Sequence, residues 1–299
     1  MKQALFLACA LAVCAACPAQ QAKRPAITGI AFARFYTTDL AAAQHFYGST
    51  LGFEGHETGG AWTYPVNRSQ WLELVPSTPP LANVRMAAVA FTTRDASALQ
   101  HYLSAHGIAI EQPLKNGEFG VRDPEGNLIF FVQHDSNKLV TDAHPAANAT
   151  SRRIIHVGFM IHDQAKEDAF WQGILGFHPY WHGGHTDDTL DWYAVQVPDG
   201  SDWLEYMFNA GPSATLQRAG VDDHFSLGVD HITDLVANLA RNHCEGANCT
   251  RTITGRDGKV QLDLFDPDLT RAEFMEFTPV REPCCSPFTG KQPSDEEDR

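Results

Sequence analysis

The stretch LFDPDLTRAEFMEF, residues 264 to 277, holds two carboxylates that its surroundings do not favour. Asp266-Pro267 and Asp268 mark a turn, and the apolar, aromatic run after them reads as a strand. Side chains alternate along a strand, so Glu273 shares a face with Met275 and Phe277, and Glu276 with Ala272 and Phe274. A carboxylate among apolar neighbours is costly unless it is paired or bound to a metal. The pattern recurs upstream: His156 stands in RRIIHVGFMI, Glu205 in WLEYMF and His224 in DHFSLGV, each a polar residue in an apolar run. In a chain with 14 histidines, one imidazole in a strand is weak evidence by itself. Were two imidazoles and two carboxylates to converge, they would suit a divalent ion of the zinc, nickel, cobalt, manganese or iron(II) group.

The neighbours of the histidines favour such a site. His156 shares its face with Gly158 and Met160, and His224 with Ser226 and Gly228. Small residues there predict an open hollow beside the imidazoles, where a packed core would carry Leu or Val. A further polar segment, WHGGHTDDTLDW, carries His182, His185, Asp187 and Asp188 and reads as a loop at the mouth of that hollow.

The elements that position these residues occur twice. FYTTDLAAAQHFYGSTLGFEGH from Phe35 matches FMIHDQAKEDAFWQGILGFHPY from Phe159, with Asp39 on Asp163 and LGF on LGF. QWLELV matches DWLEYM, and VRDPEGNLIFFV matches LFDPDLTRAEFM. Two related domains therefore run over 27–136 and 152–280, joined by a polar linker at 137–151 and followed by a tail at 281–299. Each domain reads as a strand, a helix and three strands, twice over, with Asp163 as a helix N-cap and Gly176 after that helix's end.

These paired elements resemble the vicinal oxygen chelate superfamily, which includes glyoxalase I, extradiol dioxygenases and fosfomycin- and bleomycin-resistance proteins. The resemblance implies an α+β fold of paired βαβββ modules. They form curled mixed sheets, in two tandem domains of two modules each. In that family, metal ligands lie on the first and last strands of the modules, which carries over to His156, Glu205, His224 and Glu273. Glu273 is then the acid facing the metal, and Glu276 points the other way. The first domain has Phe32, Glu73, Arg85 or Met86, and Phe130 at the matching places, which leaves one carboxylate in a cup filled with aromatics. Leu269 stands where the first domain has Gly126 and the family usually has glycine, so a reshaped turn is expected.

A small-molecule substrate chelated through two neighbouring oxygens is implied. The foremost reading is a lyase- or isomerase-like proton transfer with Glu205 or Glu273 as base. An extradiol-type dioxygenase with His156, His224 and Glu273 as a triad is the second reading. It lacks the adjacent histidine pair of those enzymes. A non-catalytic, resistance-type binding protein is the third.

Composition narrows the setting. The formal net charge of −14 and the absence of a basic stripe exclude nucleic acid as a partner. MKQALFLACALAVCAACPAQ reads as a signal peptide over 1–19, so the chain is expected to be exported, periplasmic or secreted. A lipid anchor at Cys17 is the alternative, and no other segment is long and apolar enough to span a bilayer. The mature chain keeps Cys244, Cys249, Cys284 and Cys285, an even number that predicts disulfides of undetermined pairing.

Overall fold

The computed structural model describes residues 23–78, 84–133, 146–208, 211 and 214–295. The expected signal segment and Cys17 lie outside them, as do residues 137–145 of the linker and 296–299 of the tail.

Two mixed eight-stranded sheets make up the molecule. The first holds β1 (Ile27–Thr37), β2 (His56–Thr58), β3 (Ala61–Pro65), β4 (Trp71–Pro76), β5 (Met86–Thr93), β6 (Ile110–Lys115), β7 (Glu118–Arg122) and β8 (Leu128–Gln133). Their order is β2-β3-β4-β1-β5-β8-β7-β6. The second holds β9 (Ile154–Met160), β10 (His178–Gly183), β11 (Trp192–Gln196), β12 (Trp203–Met207), β13 (His224–Val229), β14 (Thr252–Thr254), β15 (Val260–Phe265) and β16 (Arg271–Glu276). Its order, β10-β11-β12-β9-β13-β16-β15-β14, repeats the first. In each sheet the first strands of the two modules run antiparallel at the centre, and each pairs in parallel with the last strand of its own module. The fold is thus α+β, with four βαβββ modules in two tandem pairs.

Helices α1 (Leu40–Gln44), α2 (Ala96–Ala105), α3 (Gln164–Asp168), α4 (Leu216–Asp222) and α5 (Ile232–Arg241) connect the strands. Asp39, Asp95 and Asp163 cap their helices by accepting from the amides of Ala42, Ala98 and Lys166. Both α1 and α3 run on into a wider π-helical turn, over His45–Thr50 and Ala169–Ile174, before a glycine with positive φ, Gly52 or Gly176. Helix α4, capped by Thr215, was not foreseen in the sequence.

The helical faces of the two sheets pack against each other. Phe35 and Tyr47 lie against Phe225, and Phe91 lies against Trp171 and Phe177, with ring centroids 5.2 to 6.1 Å apart. Polar links lock this interface. Gln70 exchanges two 2.8 Å hydrogen bonds with the Ile154 backbone, and Asp268 accepts from Thr37 Oγ1 at 2.7 Å. The opposite face of each sheet is left as a cup with its own small apolar cluster. Among the described residues no helix is long and apolar enough to cross a membrane.

One expectation changes at this level. The turn at Leu269 keeps the shape of the one at Gly126. Leu269 N donates to Asp266 O at 2.9 Å, as Gly126 N does to Asp123 O at 3.0 Å, and Leu269 adopts φ 69°. The turn tolerates that strain because Asp266 Oδ1 holds the amides of Asp268 and Thr270 while Thr37 and Thr38 hold Asp268. Among the described residues the expected disulfides are both local, Cys244–Cys249 and the adjacent pair Cys284–Cys285.

Candidate metal centre

Sheet order explains why four distant residues meet. His156, Glu205, His224 and Glu273 lie on β9, β12, β13 and β16, which are neighbours in the order β12-β9-β13-β16. In the registers, Glu205 and His224 both face Gly158, while His156 and Glu273 both face Ser226. Side chains two residues apart on one strand share a face, so all four point into the same cup.

Three of them form a tight group. His156 Nε2 lies 3.0 Å from His224 Nε2 and 3.0 Å from Glu273 Oε2, and His224 Nε2 lies 3.8 Å from that oxygen. Glu205 stands back, with Oε2 3.6 Å from His224 Nε2 and 3.9 Å from His156 Nε2. Glu276 is on the other face, where its carboxylate accepts from Ile232 N at 3.0 Å at the start of α5.

Protonation fits this grouping. The Asp222 carbonyl, 2.9 Å from His224 Nδ1, can only accept, so that nitrogen carries the proton and Nε2 presents its lone pair. Burial pushes both imidazoles below their usual range and keeps them neutral, with Arg271 adding to the effect at His224. Burial alone would raise Glu273, but the Arg271 guanidinium and His156 outweigh it and hold the carboxyl well below the usual carboxylate range. Glu205 is pushed up to about 8 by burial and then by the charge of Glu273, so it holds a proton at neutral pH.

These residues suit a divalent ion. Two Nε2 atoms 3.0 Å apart match donors at roughly 90° around an ion about 2.1 Å from each. Glu273 Oε2 is buried without a hydrogen-bond partner, an orphan that an ion would satisfy. Neutral imidazoles and an ionised carboxylate are the forms that bind metal.

The expected hollow is absent. A Cβ on Gly158 would meet His224 Cε1 at 2.2 Å, and one on Gly228 would meet the Phe277 ring at 2.2 Å. The glycines are seats for rings, and the open space lies further out. That space is a cavity of about 260 Å³ bounded by Tyr180, Trp181, Trp192, Trp203 and Phe288, with Glu205, Asp263, Arg271 and Glu273 at its polar end. Phe288 belongs to the tail, which folds back over the cup and ties to β10 through Trp181 Nε1 and Cys284 O at 3.3 Å. His182 lies on β10 and is exposed, not in the loop as expected, because β10 extends to Gly183. His185 pairs with Asp191 at 2.8 Å, Asp187 pairs with Arg256 at the cavity wall, and Asp188 is exposed.

The first domain shows how such a cup looks when a protein cation fills it. Register places Ala88 opposite Arg34, where the second domain has His224 opposite Gly158. Arg85 and Met86 are therefore not the counterparts of His224, because an irregularity at the start of β5 shifts the count. Phe32, Glu73 and Phe130 stand where expected. The aromatic filling is incomplete as a description. Arg34, in place of Gly158, puts its guanidinium over the Phe32 and Phe130 rings and 2.5 Å from Glu73, whose other oxygen accepts from Trp71 at 2.6 Å. Sequence reasoning also missed Arg271. Its Nη2 lies 2.9 Å from His224 Nε2, and its place on β16 beside Glu273 was the available signal.

Comparison with known proteins follows the same lines. The family model of the Glyoxalase/Bleomycin resistance protein/Dioxygenase superfamily matches residues 29–131 and 153–274. A variant of homoprotocatechuate 2,3-dioxygenase from Brevibacterium fuscum is similar, with a TM-score of 0.62 and 18% identity over 92% of this chain and 75% of that one. The anaerobic 3,4-dihydroxyphenylacetate complex of that enzyme gives 0.60 and 19% over 84% and 81%. The homoprotocatechuate 2,3-dioxygenase of Arthrobacter globiformis gives 0.61 and 18% over 85% and 80%. At these identities the likeness is one of fold. No curated protein matches the chain.

Proposed function

The chain belongs to the Glyoxalase/Bleomycin resistance protein/Dioxygenase superfamily, and from that premise we propose that it is a metal-dependent enzyme acting on a small molecule chelated through two neighbouring oxygens. One observation carries the reading: two neutral imidazoles and one ionised carboxylate lie 3.0 to 3.8 Å apart, and that carboxylate lines an aromatic cavity. His156, His224 and Glu273 would hold the ion. When bound, it would act as a Lewis acid toward the substrate oxygens.

The chain's own residues supply the rest. Glu205 is the group that moves a proton. It stands beside the ligand trio and lines the cavity, within reach of a substrate chelated there. The tryptophans and Phe288 orient a flat substrate and exclude water. This favours a lyase- or isomerase-like proton transfer, with Glu205 rather than Glu273 as base. Export follows from the N-terminal segment and is part of the same proposal.

A specific observation favours a second reading. With Glu205 set back, three ligands resemble the two-histidine, one-carboxylate arrangement of ring-cleaving dioxygenases. Turnover and oxygen uptake of the wild type and Glu205→Gln on catechols, under air and under argon, separate the two. Proton transfer predicts no oxygen uptake, and a variant that keeps its metal but loses most turnover. Uptake that needs Fe(II) and survives the substitution would assign ring cleavage.

A further inference from the structure

We propose that Arg271 is a specificity-determining residue: once the metal is seated, its guanidinium recognises an anionic substituent of the chelated substrate, which is therefore an acid. The inference rests on the reading of His156, His224 and Glu273 as ligands.

Arg271 Nη2 lies 2.9 Å from His224 Nε2, and Nη1 lies 3.8 Å from Glu273 Oε1. An ion takes His224 Nε2 and Glu273 Oε2, which leaves Arg271 only the more distant Glu273 Oε1. One lone pair cannot serve an N–H and a metal together, and two cations a few ångströms apart repel. A seated ion therefore turns the guanidinium away from His224. The group stays charged at any working pH. Its side chain is only 14% exposed, and Nε already lacks a partner. A buried cation without an acceptor is costly, so Arg271 needs one within the cavity it lines.

The protein offers part of that acceptor. Asp263 faces Glu273 across the β15–β16 ladder, lines the same cavity and has a buried Oδ1 without a partner. One carboxylate cannot consume the five donors of a guanidinium, so donors remain for a ligand. The aromatic walls supply no anion. The other arginine on the wall, Arg256, is engaged by Asp187 and by the Gly184 carbonyl. The first domain gives the contrast. Arg34 is paired with Glu73, lies over two rings and is a quarter exposed, and the counterpart of Arg271 on β8 is Leu128.

Calorimetric titration of the zinc-loaded full chain with catechol and with 3,4-dihydroxybenzoate tests the proposal. Both chelate through the same two hydroxyls, and one adds a carboxylate. The wild type is expected to bind the acid about tenfold more tightly, as for one charge-assisted hydrogen bond. Arg271→Met should lose that preference, keep its affinity for catechol and bind zinc more tightly, because a competing cation is gone. Should Arg271→Met fail to fold, Arg271→Lys keeps the charge without the planar fork and should lose most of the preference. A wild type without preference, or a preference intact in the variants, overturns the role of Arg271 while the chelation reading stands. If neither compound binds the zinc-loaded wild type, chelation itself falls, and the proposal with it.

Discussion

Gly158 sets the geometry of the centre, because its missing side chain is the space that the His224 ring occupies. Arg34 at the equivalent position of the first domain fills the same space with a guanidinium. Arg34 acts together with Phe32, Ala88 and Phe130, which stand where the second domain has His156, His224 and Glu273. The two acids of the last strand differ just as sharply. Glu273→Gln should cut metal affinity by at least about tenfold, since an ionised ligand is lost. Glu276→Gln should leave affinity nearly unchanged, because Glu276 serves the start of α5. Metal titration of both variants checks this, and an empty site in Glu276→Gln would mean that the strand faces are misassigned. The four polar strand residues were legible in the sequence because burying charge in an apolar run is costly enough to demand a reason. Arg271 was not, since an arginine at a strand start reads as a solvated end until the fold shows it 2.9 Å from a histidine nitrogen.

At the scale of elements, the repeat made the strands and helices readable, and the errors fell where local geometry breaks the period. The irregular start of β5 moved the counterpart of His224 from Arg85 or Met86 to Ala88. The DP turn kept its shape despite Leu269, because side chains from the other domain pin Asp268 and Asp266. No pattern within 266–270 reveals those contacts. Helix α3 carries a testable consequence of the same interface. Glu167 is fully buried, accepts from Trp171 Nε1 at 2.8 Å and from Glu125 N at 3.1 Å, and is pushed up to about 8 by burial and then by Asp123. A carboxyl raised in the folded state favours folding most at low pH, and that contribution falls as pH rises from about 4.5 to about 8. Denaturant unfolding across that range should therefore show Glu167→Gln gaining stability relative to the wild type as pH rises. A difference that stays constant with pH would show that Glu167 is ionised throughout.

At the scale of the molecule, two copies of one architecture pack back to back and face their cups outward. One cup is closed by the Arg34–Glu73 pair, and the other gathers three ligand atoms beneath an aromatic cavity that the tail covers with Phe288. The tail's part in that cover was not legible, because its polar composition reads as solvated chain. The central claim is a single divalent ion per chain, held in the second domain. Metal analysis of the full chain after loading with zinc and exhaustive buffer exchange tests it most directly, beside His156→Ala and Glu73→Gln. The account predicts one zinc per wild-type chain, one in Glu73→Gln and none retained in a folded His156→Ala. A full complement of zinc in His156→Ala, or its loss in Glu73→Gln, would contradict it.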